Sequence, residues 1–360
     1  MMQTIEVVEP TTAQQSYLNA RLQEVSRSFA LVVPCLDPPL RHYLATAYLV
    51  CRVVDNIEDA GQAAPWKRAR FAEFARLLRQ PDQAGEILAA WQREQWPALT
   101  PAEQAMMGPA QGGPLWQIYA ELPPPTQDSI RRWAGIMADG MLQASEAARP
   151  PELAGRPDLH VLESEADYNR YCYFVAGTVG HMVTELVIER YDFPPTLAGY
   201  LRDRAEACGR ALQKTNIVKD FAEDLRRGDC FLPATWLRQA EWTPLQLQGA
   251  EAAWKLMVLE DVLGELHTAT DYIVALPYSA PDYRRAALLC LLPAYQTMLC
   301  AAQSQAYLFT PAHHAKISRT TMAQCLADAQ AMVGDNKALA SYRRRLEDKI
   351  HDQFGRPTGV

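Results

Sequence analysis

Apolar residues recur along most of the chain at steps of three and four. From Tyr168 they fall at Tyr171, Cys172, Val175, Val179, Met182, Val183 and Leu186, which is one face of a helix. The same spacing predicts helices over 40–60, 65–79, 126–148, 197–227, 245–275, 282–304, 319–332 and 336–352. Strand-like alternation is almost absent. Turn signals separate many of the stripes: Pro38-Pro39, Gly61, Pro123 to Pro125, Pro194-Pro195, Pro233, Pro277 and Pro281. Pro293 lies inside an apolar stripe and is expected to kink that helix. Residues 97–125 are dense in proline and glycine, so loops and short helices are expected there. No composition break or fixed-period repeat divides the chain. The pattern predicts a single all-α domain over 1–360.

Composition narrows this further. The chain has 360 residues, 49% hydrophobic and 21% charged, enough to build a core. Its 35 basic and 42 acidic residues leave a net charge of −7, and the longest basic run is Arg343 to Arg345. That balance argues against nucleic acid as the main partner. Eight cysteines form no Cys-x-x-Cys pair, and most sit in apolar runs. They read as reduced core thiols of a cytoplasmic protein. The N-terminal residues lack a basic region followed by an apolar run, so no signal peptide is expected. The most apolar stretch, 286–302, is interrupted by Pro293 and Gln296 and is short for a membrane span. Peripheral contact with the inner face of a membrane stays open, as does the oligomeric state.

One pattern occurs twice. Asp55-Asn56-Ile57-Glu58-Asp59 and Asp220-Phe221-Ala222-Glu223-Asp224 share the spacing Asp-x-x-Glu-Asp. On a helix these carboxylates share a face and repel one another. Gly61 and Gly228 follow, as helix-stopping glycines would, so the acids sit near the negative ends of helix dipoles. A bound cation reverses that cost. Oxygen ligands in ones and twos, completed by water and phosphate, are what Mg²⁺ prefers. Arg52, Lys219, Arg226 and Arg227 lie beside the acids. Acids that hold a metal beside bases that reach phosphate oxygens suit a Mg²⁺-bound diphosphate. A solvated acidic face is the plain alternative. Two copies behind apolar sequence, the second with Gln213 and Asn216 ahead of Asp220 on one face, argue against it. A carboxylate-bridged iron protein would need Glu-x-x-His pairs, and the sequence has none.

The ordered set Ser26-Arg27-Ser28-Phe29, the Asp55 motif, Tyr171 to Gly180, and Leu212 to Asp224 resembles the squalene/phytoene synthase family. With Lys316-Ile317-Ser318-Arg319 the likeness spans about 26–320. Leu212-Gln213-Lys214-Thr215-Asn216 and the 316–319 segment resemble the squalene-forming branch more than the phytoene-forming one. The resemblance implies the isoprenoid synthase fold, helices around a central cavity. It implies that two farnesyl diphosphates are joined head to head to presqualene diphosphate, which NADPH then reduces to squalene. A non-reductive dehydrosqualene or phytoene synthase is the nearest alternative, and a water-quenched hydroxysqualene synthase a further one.

The resemblance also assigns roles. Asp55, Glu58 and Asp59 match one metal motif, and Asp220 and Asp224 the other, with Asn216 in support. Ser26, Arg27, Phe29, Arg52 and Lys219 match substrate-binding positions. Arg27, Arg52 and Lys219, with Lys316, Ser318 and Arg319, match positions that hold NADPH. Tyr171 matches a tyrosine linked to proton removal, as a relay to released diphosphate. Leu289, Cys290 and Pro293 match the lining of the second-step pocket. No Gly-x-Gly-x-x-Gly fingerprint is present, so NADPH would be held by the 316–319 segment and not by a Rossmann site. Asp229 stands where the family pattern leads to expect arginine.

Overall fold

A computed structural model describes residues 10–26, 28–146 and 159–355. The predicted helices form nearly where the apolar stripes place them. The chain packs as two helical units: residues 1–147 with 181–198, and 148–180 with 199–360.

The first unit begins with α1 (Thr12–Val25), α2 (Phe29–Val32), α3 (Leu40–Glu58) and α4 (Ala64–Arg79). It continues with α5 (Ala84–Trp91), α6 (Pro101–Met106), α7 (Pro109–Glu121) and α8 (Pro124–Glu146). Its centre is α3, which packs against α1, α4, α7 and α8. Leu49, Val50, Val53, Val54 and Ile57 are at most 1% exposed, so this stripe is core. Removing such area from water contributes about 25 cal/mol per Å². The proline-rich stretch gives α6, a short helix as expected, and α7, a 13-residue helix that runs through Gly112, Gly113 and Pro114 where loops were expected. Proline opens each, where a missing N–H costs nothing.

The chain enters the second unit through α9 (Glu165–Cys172). A π-turn over Tyr173–Gly177 carries it into α10 (Thr178–Tyr191), which from His181 belongs to the first unit. The second unit continues with α11 (Pro195–Arg227), α12 (Ala234–Ala240), α13 (Ala252–Ala275), α14 (Pro281–Gln303), α15 (Arg319–Met332) and α16 (Asn336–Asp352). The expected helix over 245–275 starts later, because residues 247–249 form a 3₁₀ turn. Helices α1, α2, α5 and α12 lie outside the predicted set.

Small residues let the π-turn region approach α11 closely. A Cβ on Gly180 would lie 2.0 Å from the Ala205 carbonyl oxygen, and one on Gly209 would lie 1.9 Å from that of Ala176. Backbone therefore packs on backbone between the Tyr171–Gly180 stretch and the helix that carries Asp220. Lys214, 1% exposed, reaches from α11 to α13, its Nζ 2.9 Å from Asp261 and 3.1 Å from Glu265. Arg210 adds ion pairs to Glu206 and Glu265. In α14, Arg284 is fully buried. Its Nε donates to the Val333 carbonyl at 2.7 Å and its Nη1 to that of Ile273 at 2.7 Å. Nη1 also donates to Leu276, and Nη2 donates to Asn336 Oδ1 at 2.6 Å. One guanidinium thus ties α13, α15 and α16 to α14.

A two-residue parallel ladder, β1 (His160–Val161) on β2 (Asp229–Cys230), closes the chain just past α11. None of the eight cysteines forms a disulfide. Helical stretches 165–191 and 281–303 are long and apolar enough to cross a bilayer, by length and composition only. In the second, 67% of the apolar window is buried inside the protein, as in a core helix.

Candidate active site

The first acidic motif closes α3. Asp55 and Glu58 lie in its last turn, and Asp59 caps it, donating its N–H to the Asp55 carbonyl at 2.7 Å. Gly61 follows with φ +66°, the left-handed turn a glycine accepts freely. The three acids are half-buried, while Val54 just before them and Asn56 and Ile57 between them are fully buried. Burial pushes the Asp55 carboxyl up to about 7, and the Asp59 charge adds to this. Arg52 opposes it, with Nη1 3.5 Å from Asp55 Oδ2. The same guanidinium pairs with Glu103 of α6. Burial alone would raise Glu103. The Thr100 N–H, donating at 2.9 Å, and Arg52 hold it below the usual carboxylate range.

Ser26 and Phe29 join this end of α3. The Phe29 N–H donates to Ser26 Oγ at 3.0 Å, and the Phe29 ring lies 4.8 Å from that of Tyr48. Tyr48 is one helical turn before Arg52, so Ser26 and Phe29 sit beside the face of α3 that carries Arg52 and Asp55. Arg27 lies outside the described residues.

The second motif closes α11. Gly228 follows at φ +97°. Lys219 spans two site residues, its Nζ donating to Asn216 Oδ1 at 2.6 Å and lying 3.1 Å from Asp220 Oδ2. Glu223 sits 3.5 Å from Arg227. Burial pushes the Asp224 carboxyl up to about 7, and Asp220 pushes in the same direction. Asp229, in the expected arginine position, pairs with His160 across the β ladder at 3.4 Å.

Both motifs therefore hold one carboxyl that burial drives toward its neutral form. Clustered carboxylate oxygens are the donors a hard divalent cation prefers, and such a charge would offset the cost of ionising these carboxyls. A pH dependence follows. A carboxyl whose folded value is raised from 3.8 to about 7 costs nothing below the lower value and its full amount above the upper. At these two groups, stability without metal falls as pH rises from about 4 to about 7. Melting temperatures in chelator at pH 6 and 8 test this. The wild type loses more than Asp224→Asn over that interval, and Mg²⁺ restores more at pH 8. Equal losses in the two proteins would contradict the account.

The Tyr171 ring stacks on Phe231 at 4.5 Å and 12°, between α9 and the segment after β2. On α14, Leu289 is buried, with Cys290 and Pro293 half-buried. Ser318 caps α15, its Oγ accepting from the Thr321 N–H at 3.0 Å. Lys316 and Arg319 are exposed. Lys316 Nζ lies 3.8 Å from Asp220 and 4.0 Å from Glu223, so the structure brings this segment to the second motif.

Several neighbours are absent from the sequence reading. Glu103 carries a legible signal, since Thr100-Pro101-Ala102-Glu103 has the spacing of a capping box. Asn56, with Oδ1 buried and unpaired, lies inside the first motif. Phe231, His160 and His314 carry no periodic signal.

The squalene/phytoene synthase family model matches residues 22–321. The squalene synthase of Eremothecium gossypii is 33% identical over 212 residues, 59% of this chain and 44% of that protein. The squalene synthase of Candida albicans is 27% identical over 337 residues, 91% of this chain and 70% of that protein. The chain thus spans less than half of the first relative. The structure of TcSQS with the ligand BPH1237 superposes with a TM-score of 0.76 at 22% identity, covering 95% of this chain and 96% of that one. The isoprenoid synthase fold follows from that likeness. The chain belongs to the squalene/phytoene synthase family of prenyl-transferring enzymes.

Proposed function

We propose that the protein is a squalene synthase. It joins two farnesyl diphosphates head to head, releasing one diphosphate and one proton, to give presqualene diphosphate. It then reduces that intermediate with NADPH to squalene, releasing the second diphosphate. The observation that carries this reading is the pair of Asp-x-x-Glu-Asp helix ends, each with a carboxyl raised by burial and a cation one turn or less away.

Asp55, Glu58 and Asp59 would hold Mg²⁺ at one motif, and Asp220 and Asp224 at the other. When bound, Mg²⁺ neutralises diphosphate oxygens and makes the group a better leaving group. Arg52 and Lys219 stand ready to bind the same oxygens by exchanging a carboxylate partner for phosphate. Ser26 and Phe29 hold the substrate beside Arg52, and Asn216 orients Lys219. Tyr171, fixed by its stack on Phe231, positions a hydroxyl to pass the lost proton to diphosphate. A neutral phenol is a poor base at neutral pH, so it relays and does not retain the proton. Leu289, Cys290 and Pro293 keep water from the allylic cation, which water would trap as an alcohol.

NADPH, when bound, supplies hydride. Lys316 and Arg319 would hold its phosphates at the N-terminal end of α15, where free N–H groups also favour an anion. Ser318 preserves that helix start. Lys316 must leave Asp220 and Glu223 to do so. Lys316→Ala is therefore expected to slow squalene formation about tenfold more than presqualene diphosphate formation, by loss of one charge-assisted contact. Rapid-quench assays of both steps read this. Equal slowing of both steps would remove the cofactor role.

Soluble cytoplasmic synthesis, with peripheral contact at a membrane to release an apolar product, fits this chemistry. The direct test supplies presqualene diphosphate and NADPH to the purified protein. Squalene is expected. Consumption of the substrate without any NADPH-dependent product would move the assignment to the non-reductive branch.

A further inference from the structure

The irregular segment between α14 and α15 brings a histidine to the second acidic motif. One ligand atom each from Asp220, Glu223 and His314 lies within 4.8 Å of the others, and all three side chains are half-buried. Among the described residues this is the one such group of three His, Cys, Asp or Glu side chains. His314 has two further features. Its Nε2 lies 3.4 Å from Arg226 Nη2, and a guanidinium only donates, so that nitrogen presents a lone pair. Its Nδ1 is buried without a hydrogen-bond partner. In that tautomer Nδ1 carries the proton, so Nε2 is the nitrogen able to take a cation.

We propose that His314 and Glu223 complete, with Asp220, a mixed imidazole–carboxylate site for a borderline divalent cation such as Co²⁺. This rests on the reading of Asp220 as a metal ligand and adds a nitrogen donor to it. Oxygen donors alone favour Mg²⁺, whereas imidazole shifts preference toward transition metals. Ligand bonds of about 2.1 Å place tetrahedral donors about 3.4 Å apart. The cluster therefore contracts by at most about 1.4 Å when it closes on an ion. Two cations stand in its way. Lys316 bridges Asp220 and Glu223 at 3.8 and 4.0 Å, and Arg226 faces the imidazole. An ion in the site displaces the Lys316 ammonium from both carboxylates. Its backbone stays tied to the ligand, because the Lys316 N–H donates to the His314 carbonyl at 2.8 Å. The metal thus clasps the segment by His314 while freeing Lys316 to meet an anion.

Metal-free protein titrated with Co²⁺ tests this without turnover. The wild type is expected to develop visible d–d absorption and a hyperfine-shifted imidazole N–H resonance. In His314→Ala and His314→Gln the resonance disappears and Co²⁺ affinity falls at least tenfold, while Mg²⁺ affinity stays within about twofold. Lys316→Ala binds Co²⁺ more tightly, because it removes the competing ammonium. Unchanged Co²⁺ affinity and spectrum in both His314 variants would overturn the proposal. Asp220→Asn separates the two levels. If it weakens Mg²⁺ and Co²⁺ while the His314 variants do not, the acidic motif stands and the histidine ligand falls. If no variant changes binding, both fall.

Discussion

Asp55→Ala and Asp220→Ala each lower the consumption of farnesyl diphosphate by at least about 10²-fold, with helical content unchanged. Loss of a residue that merely supports a metal ligand costs about 10- to 100-fold, so loss of a ligand costs more. The fold survives because these carboxylates do not hold it together. Asp55 sits half-buried at the end of α3, its carboxyl driven up to about 7 by burial, and α3 is anchored by Leu49, Val50, Val53, Val54 and Ile57. Asp55→Asn removes the charge but keeps the shape. Its melting temperature without metal is expected to equal or exceed that of the wild type, while its activity is lost. Circular dichroism and a radiolabelled turnover assay read the two effects. Near-normal turnover in either alanine variant would remove the metal role. A melting temperature well below wild type for Asp55→Asn would make Asp55 structural.

Arg284→Ala carries the largest expected effect on stability, a loss of about 3–5 kcal/mol, as for breaking other buried charged networks. The guanidinium is fully buried and answers four acceptors on three other helices or their ends. Two of them, the Ile273 and Leu276 carbonyls, end α13, where the helix dipole is negative. Truncation leaves these acceptors without a donor and opens a cavity. Arg284→Lys keeps a charge but lacks the planar fork, so it recovers only part of the loss. Denaturant midpoints for the two variants decide this. A loss under about 1 kcal/mol in Arg284→Ala would mean that water replaces the bonds. Because Arg284 lies among packed helices, metal affinity in the folded fraction is expected to be unchanged.

Long helices were legible because burial writes itself into sequence at steps of three and four. Helices α3, α4, α8, α11, α14, α15 and α16 start and stop within two residues of the expected limits. Gly61 and Gly228 were legible as stops, and both adopt positive φ. The short helices α5 and α12 offer too few turns for a period to emerge. Polar α1 buries little more than Leu18 and Leu22. The π-turn at Tyr173–Gly177 adds a single residue to the phase of a long helix, less than the scatter in its apolar steps. The β ladder pairs residues far apart in sequence, two from each strand, with no alternation to betray them.

The site divides along the same line. The two acidic motifs and their adjacent bases were legible because chemistry and spacing coincide on one helix. Glu103 and His314 reach those bases and acids from other elements, and only tertiary packing brings them there. Ser318 shows how a familiar segment changes meaning. The resemblance groups it with cofactor-holding positions, and its hydroxyl starts α15, with Lys316 and Arg319 as the cations of the segment.

Reductive coupling of two farnesyl diphosphates is decided by the identity of the products. Purified protein is given farnesyl diphosphate and Mg²⁺, with and without NADPH, and the products are resolved by mass spectrometry. Squalene only in the presence of NADPH, with presqualene diphosphate or its rearranged alcohols in its absence, is the predicted result. Dehydrosqualene in both reactions would contradict the reductive assignment and leave Lys316 and Arg319 without a cofactor to hold.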